Sequence, residues 1–142
     1  MHVVIAALLT LSPPGMSERP VVTMEAAPVL SQVTPGGTMP IAVRFTIPKA
    51  WHIYWKDAGD AGVPTELKVK ASPNVKIGPV RYSRPMAIDD QAGTVLGYED
   101  NAVLVFNAMV DPNATAGQWV DLDIEAHWLV CKKACYLGSR RA

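Results

Sequence analysis

Cysteine is scarce in this chain of 142 residues: there are two, Cys131 and Cys135, so whatever fold forms must hold together almost without them. At this length one domain buries a real hydrophobic core and needs no disulfide as a staple. An excess of charge of either sign is also missing. Thirteen basic and thirteen acidic residues cancel, which excludes the broad positive field of a nucleic-acid binder. No stretch is long enough to cross a bilayer as a helix, so no membrane span is expected in the chain. No segment carries a sustained apolar stripe at helical spacing, which argues against a helix-rich fold. The sequence also lacks a Gly-x-Ser-x-Gly elbow, a phosphate-binding glycine loop and a His-Glu-x-x-His pair, so hydrolase and nucleotide chemistry have no support. There is no internal repeat.

What is present reads as β-structure. Twelve prolines and ten glycines cut an apolar, valine-rich chain into short segments, as in an all-β domain. The apolar run at residues 1–11 has the length of the hydrophobic part of an export signal. It has no Lys or Arg before it and no clear cleavage site, and it fits an ordinary buried strand equally well. Residues 1–19 are therefore read as signal peptide or linker, and residues 20–142 as the domain.

Strands are expected at residues 21–26, 39–47, 51–55, 65–70, 95–98 and 102–110. Short edge strands are expected at residues 75–77 and 80–82, where the prolines at 73, 79 and 85 leave little room. In the strand at 51–55, Trp51, Ile53 and Trp55 share one face and His52 and Tyr54 the other. The longest alternation, over residues 119–130, buries Val120, Leu122, Ile124, Ala126, Trp128 and Val130 and leaves Asp121, Asp123, Glu125 and His127 on the wet face. This pattern of short strands and regular turns predicts an all-β, immunoglobulin-like two-sheet β-sandwich.

The cysteine pair carries the chemistry. A ring of five residues stabilises a fold by only about 2 kcal/mol in the chain-entropy model, against nearly 5 for a hundred-residue loop. One reading is a fixed local bridge. The other is a dithiol that exchanges with disulfides, one thiolate attacking and the second resolving the mixed disulfide. Lys132 and Lys133 favour the second, because nearby positive charge lowers a thiol's pKa. A third reading joins His127 to Cys131 and Cys135 as a copper(I) or zinc site, although a closed zinc site needs a fourth ligand. It ranks below exchange. Otherwise no cofactor is expected. Asp57, Asp60, Asp89 and Asp90 lack the spacing of a calcium loop and read as turn formers. Asn113-Ala114-Thr115 fits a glycosylation sequon, a pattern frequent by chance.

Four stretches taken in order then resemble a known family. They are Trp51-His52-Ile53-Tyr54-Trp55-Lys56, Gly59-Asp60-Ala61-Gly62-Val63-Pro64-Thr65, Gly97-Tyr98-Glu99 and Trp128-Leu129-Val130-Cys131-Lys132-Lys133-Ala134-Cys135. Their order and spacing are similar to those of the amino-terminal periplasmic domain of DsbD- and ScsB-type thiol:disulfide interchange proteins. The resemblance implies an immunoglobulin-like domain exported to the periplasm, with Cys131 and Cys135 as the redox pair of a protein-disulfide reductase system. It implies electrons arriving from a membrane-embedded reductase domain and leaving to thioredoxin-like periplasmic proteins. It also makes His52 and Tyr54 site-lining residues beside Lys132 and Lys133, and places a cap loop at residues 89–93. Two departures stand out: Ala50 occupies the usual glycine position, and the cap segment has no aromatic residue. A final strand is expected to be missing after Cys135, as in a fragment or a module served by separate partners.

Overall fold

The computed structural model describes residues 19–142 apart from residues 60 and 92. The leader or linker expected over residues 1–19 lies, but for its last residue, outside the described residues. Eleven strands follow: β1 (Thr23–Pro28), β2 (Thr38–Thr46), β3 (His52–Tyr54), β4 (Glu66–Ala71), β5 (Val75–Ile77), β6 (Arg81–Tyr82), β7 (Met86–Asp90), β8 (Gly93–Glu99), β9 (Asn101–Val110), β10 (Leu122–Cys131) and β11 (Cys135–Arg141). They form two antiparallel sheets. One has the order β1-β2-β9-β5, with β6 also on β9; the other has the order β11-β10-β3-β8-β7, with β4 also on β10. This is the immunoglobulin-like sandwich that the alternation predicted, and no described residue is helical.

Period-two alternation builds the interior. Ile41, Val43 and Phe45 of β2 and Leu104 and Phe106 of β9 face Ile124, Ala126, Trp128 and Val130 of β10, all of them buried. Each large side chain so buried contributes on the order of 1.5–3 kcal/mol. The Phe45 ring meets the Trp128 indole edge-on with centroids 5.7 Å apart, the geometry that aromatic quadrupoles favour. Two glycines permit close approaches within the second sheet. A methyl group at Gly138 would overlap the Trp128 indole, and one at Gly97 would overlap the Ile53 carbonyl oxygen.

Several expectations need correction. Trp119 and Val120 lie before β10 instead of within it, and Trp119 is 94% exposed. The expected strands at 95–98 and 102–110 are present as β8 and β9, which follow one another through Asp100, whose φ is 61°, and belong to different sheets. The turn there carries the chain across the sandwich. The segment before residue 93 holds an unforeseen strand, β7, paired with β8 from Met86 opposite Gly97 to Asp90 opposite Gly93. The residues after Cys135 form a strand that was not expected: β11 pairs with β10 from Cys135 opposite Cys131 to Arg141 opposite Glu125. Ala50 has a φ of 70°, the left-handed conformation in which glycine is favoured.

Candidate functional site

The odd-numbered residues of β10 point away from the interior, and the last of them is Cys131. A tight turn closed by Lys132 N–H donating to the Ala134 carbonyl at 3.1 Å returns the chain into β11. Register then sets Cys131 opposite Cys135, with Cα atoms 4.2 Å apart and the sulfurs joined as a disulfide. The two cysteines differ sharply in access. Cys131 is 2% exposed, whereas Cys135 is exposed, as are Lys132 and Lys133 in the turn between them.

On the other side of β10, β3 sets His52 opposite Cys131. Two residues on, the Tyr54 hydroxyl stands 3.4 Å from Cys131 Sγ and 3.1 Å from Asp90 Oδ2. His52 Nε2 lies 3.4 Å from the Tyr54 oxygen and 3.5 Å from the same carboxylate oxygen. Both His52 and Tyr54 are buried, and the Asp90 side chain is 9% exposed. Tyr54, Ala58, Ile88, Val95 and Cys131 form a small second core with Leu129 packed against it. Gly62 lets the preceding loop lie on the Tyr54 ring: a Cβ there would stand 2.7 Å from two ring carbons.

Burial, and then the hydrogen bond to Asp90 and its negative charge, push the Tyr54 hydroxyl up to about 12. Tyr54 is therefore a neutral donor throughout the physiological range. It has one proton to share between Asp90 Oδ2 and Cys131 Sγ, with His52 Nε2 also in reach. A disulfide sulfur accepts weakly, so the proton points to Asp90; a thiolate at Cys131 is a stronger competitor for it.

The sequence-predicted residues Cys131, Cys135, His52 and Tyr54 thus meet, with Lys132 and Lys133 at the rim. Asp90 was read as a turn former within the expected cap segment, and this is corrected: its carboxylate contacts Tyr54 and His52. The signal was the spacing of Met86, Ile88 and Asp90 along one face of a strand. The segment where a cap was expected holds the end of β7, which carries Asp90, and the start of β8 at Gly93. Asp57 does serve a turn, accepting from Gly59 N–H at 3.3 Å, and Asp89 accepts the Thr94 hydroxyl at 2.7 Å. Asp60 lies outside the described residues.

His127 is not brought to the sulfurs. Four residues of extended strand hold it about 13 Å from Cys131, and its Nε2 is 2.6 Å from Glu125 Oε1. Arg141 also holds Glu125, at 3.2 Å, and Asp123, at 3.3 Å. The Arg141 hydrogen bond, and after it the one from His127, lowers the Glu125 carboxyl below its ordinary value. Among the described residues, no three His, Cys, Asp or Glu side chains stand together as a metal site would require.

The family described as "Thiol:disulfide interchange protein DsbD, N-terminal" matches residues 18–142. The crystal structure of the N-terminal periplasmic domain of ScsB from Proteus mirabilis shares the fold, with a TM-score of 0.66 at 17% identity, over 89% of this chain and 47% of that one. The chain therefore spans about half the length of the ScsB domain. The reduced DsbD N-terminal domain of Neisseria meningitidis aligns with a TM-score of 0.47 at 17% identity, over 72% of this chain and 73% of that one. No curated protein matches the chain by sequence.

Proposed function

This chain belongs to the DsbD amino-terminal family of thiol:disulfide interchange domains, and from that premise we propose that it is a periplasmic electron relay in which Cys131 and Cys135 cycle between disulfide and dithiol. An incoming thiolate attacks the exposed Cys135 sulfur. The Cys131–Cys135 bond breaks, its electron pair leaves on Cys131, and a mixed disulfide joins Cys135 to the donor. A second donor thiolate then attacks the donor's own sulfur in that mixed disulfide, which frees Cys135 and leaves the donor oxidised. The reduced pair, having taken up its protons from solvent, reverses these steps on an oxidised client.

The chain's own residues supply the asymmetry. Cys131 leaves into a buried site, where the Tyr54 hydroxyl turns from Asp90 to the new thiolate. His52 Nε2 stands 3.5 Å from the same Asp90 carboxylate. Lys132 and Lys133 favour the thiolate at Cys135. The donor is a membrane-embedded reductase domain of the DsbD or ScsB type, and the clients are oxidised thioredoxin-like proteins of the periplasm, to which the chain is exported. It works as a component of a protein-disulfide reductase system and needs no cofactor of its own.

The single observation that carries this reading is one disulfide with an open sulfur and a buried sulfur, the buried one facing a neutral hydroxyl. The test is a redox titration against glutathione with trapping of the free thiols. The relay requires a potential within reach of the glutathione couple. A value below about −300 mV marks a structural bridge and removes the proposal.

A further inference from the structure

The surface around Cys135 continues as a strip with chemistry of its own. Leu137 lies two residues from Cys135 on the same face of β11, at a separation of about 7 Å, and it is 81% exposed. Its cross-strand partner is Leu129, as Cys135's is Cys131. Leu129 in turn packs onto the buried cluster around Tyr54. The next rows along the ladder are polar, His127 with Ser139 and Glu125 with Arg141. The disulfide and the leucine pair are therefore one apolar strip, bounded on one side by charge and on the other by Lys132 and Lys133. Among the described residues, neither lysine makes an ion pair. β11 is also the outermost strand of its sheet, so an approaching chain meets no further strand in this sheet.

Resting on the relay reading, we infer that this strip docks a partner segment of specific chemistry: extended chain with an aliphatic side chain two residues from its reactive cysteine and acidic side chains flanking it. The spacing sets the aliphatic group on Leu137 and Leu129 while the partner sulfur meets Cys135. The acidic groups meet the two lysines, which have no anionic partner of their own. Charge complementarity of this kind acts mainly on the rate of encounter and fades with salt.

Three synthetic peptides test this, each bearing one cysteine as its mixed disulfide with thionitrobenzoate. One has flanking glutamates and a leucine two residues away; the second replaces the glutamates by lysines; the third replaces the leucine by serine. Cys135 thiolate of the reduced domain attacks the peptide sulfur, and thionitrobenzoate leaves with the electron pair and is read by its absorbance. Each rate is divided by the same peptide's rate with mercaptoethanol, which removes intrinsic reactivity. At low salt the first peptide should lead the second by about tenfold, with the gap closing to within about twofold at 0.5 M salt. It should lead the third by about tenfold, the lower end expected for one aliphatic group. Lys132→Ser with Lys133→Ser should abolish the first ratio alone, and Leu137→Ser the second alone. All three peptides reacting within twofold of one another overturns the docking surface while leaving the relay intact. No release from any peptide removes both.

Discussion

Replacing Tyr54 by Phe takes away one oxygen and keeps the buried ring, so it isolates what the hydroxyl does for the sulfur beside it. In the disulfide state that hydroxyl lies 3.1 Å from Asp90 and 3.4 Å from Cys131 Sγ. When Cys135 is attacked, negative charge develops on Cys131 in a place closed to water, and Tyr54 is the neutral donor within reach. A hydrogen bond to a charged group contributes about 1.5–3 kcal/mol net. At about 1.4 kcal/mol for each factor of ten in rate, Tyr54→Phe should slow reduction by about 10- to 100-fold. The stability change should be smaller, about 1 kcal/mol, because the ring still packs against the cluster and His52 stays near Asp90.

The assay is reduction by dithiothreitol in excess, quenched with acid, alkylated and counted by mass. The slowing should hold from pH 7 to about pH 10, because the Tyr54 proton is held up to about pH 12. Alkaline unfolding gives an independent check. Folding raises the Tyr54 pKa from 10.0 to about 12, so its contribution to stability is complete below pH 10 and is lost as pH rises through 12. Tyr82 and Tyr98 are also raised by burial, but they remain in the variant and cancel in the comparison. Wild type should therefore lose more stability than Tyr54→Phe between pH 10 and 12. A variant reduced within twofold of the wild-type rate, with an unchanged melt, would refute the role assigned to the hydroxyl.

Gly62→Ala should force the covering loop off the Tyr54 ring, since the added carbon would stand 2.7 Å from two ring atoms. The expected results are a loss of about 1–3 kcal/mol in the melt and faster alkylation of reduced Cys131 by iodoacetamide; an unchanged alkylation rate would mean that the loop gives no cover. Ala50→Gly should act in the opposite direction. Relief of a left-handed alanine gains about 1–2 kcal/mol, the extra freedom of glycine in the unfolded chain takes back about 0.5–1, and denaturant titration should show a net gain of under about 1.5. A loss there would contradict the φ of 70°.

How much of this was legible depended on whether a residue's role was set locally or across the chain. The cores of β2 and β10 showed because their side chains alternate, and the same period separated His52 and Tyr54 from Trp51 and Trp55. The short ring at Cys131 and Cys135 announced itself by spacing. Asp90 did not, because its role comes from pairing that brings it to Tyr54, 36 residues away, while Tyr54 reaches Cys131 across 77. β7 was obscured by Pro85 just before it. β11 was obscured by a glycine that weakens strand patterns on their own, and Gly138 is there because the Trp128 indole fills the space a side chain would need. His127 misled for a related reason: four-residue spacing aligns ligands on a helix, but on a strand it sets them well apart.

β10 is written in two registers at once, and this offers a way to sort variants. Its even-numbered side chains fasten the two halves of the sandwich, while its odd-numbered ones from Leu129 onward serve the sulfur chemistry. Damage at Ile124, Ala126, Trp128 or Val130 should reveal itself as a lowered unfolding temperature with the reactivity of surviving molecules preserved. Damage at Leu129 should leave a sound scaffold whose disulfide is reduced at a changed rate, and loss of Cys131 removes the pair itself. One strand thus carries its own diagnostic key, in which the parity of a position tells whether heat or chemistry is the instrument to use.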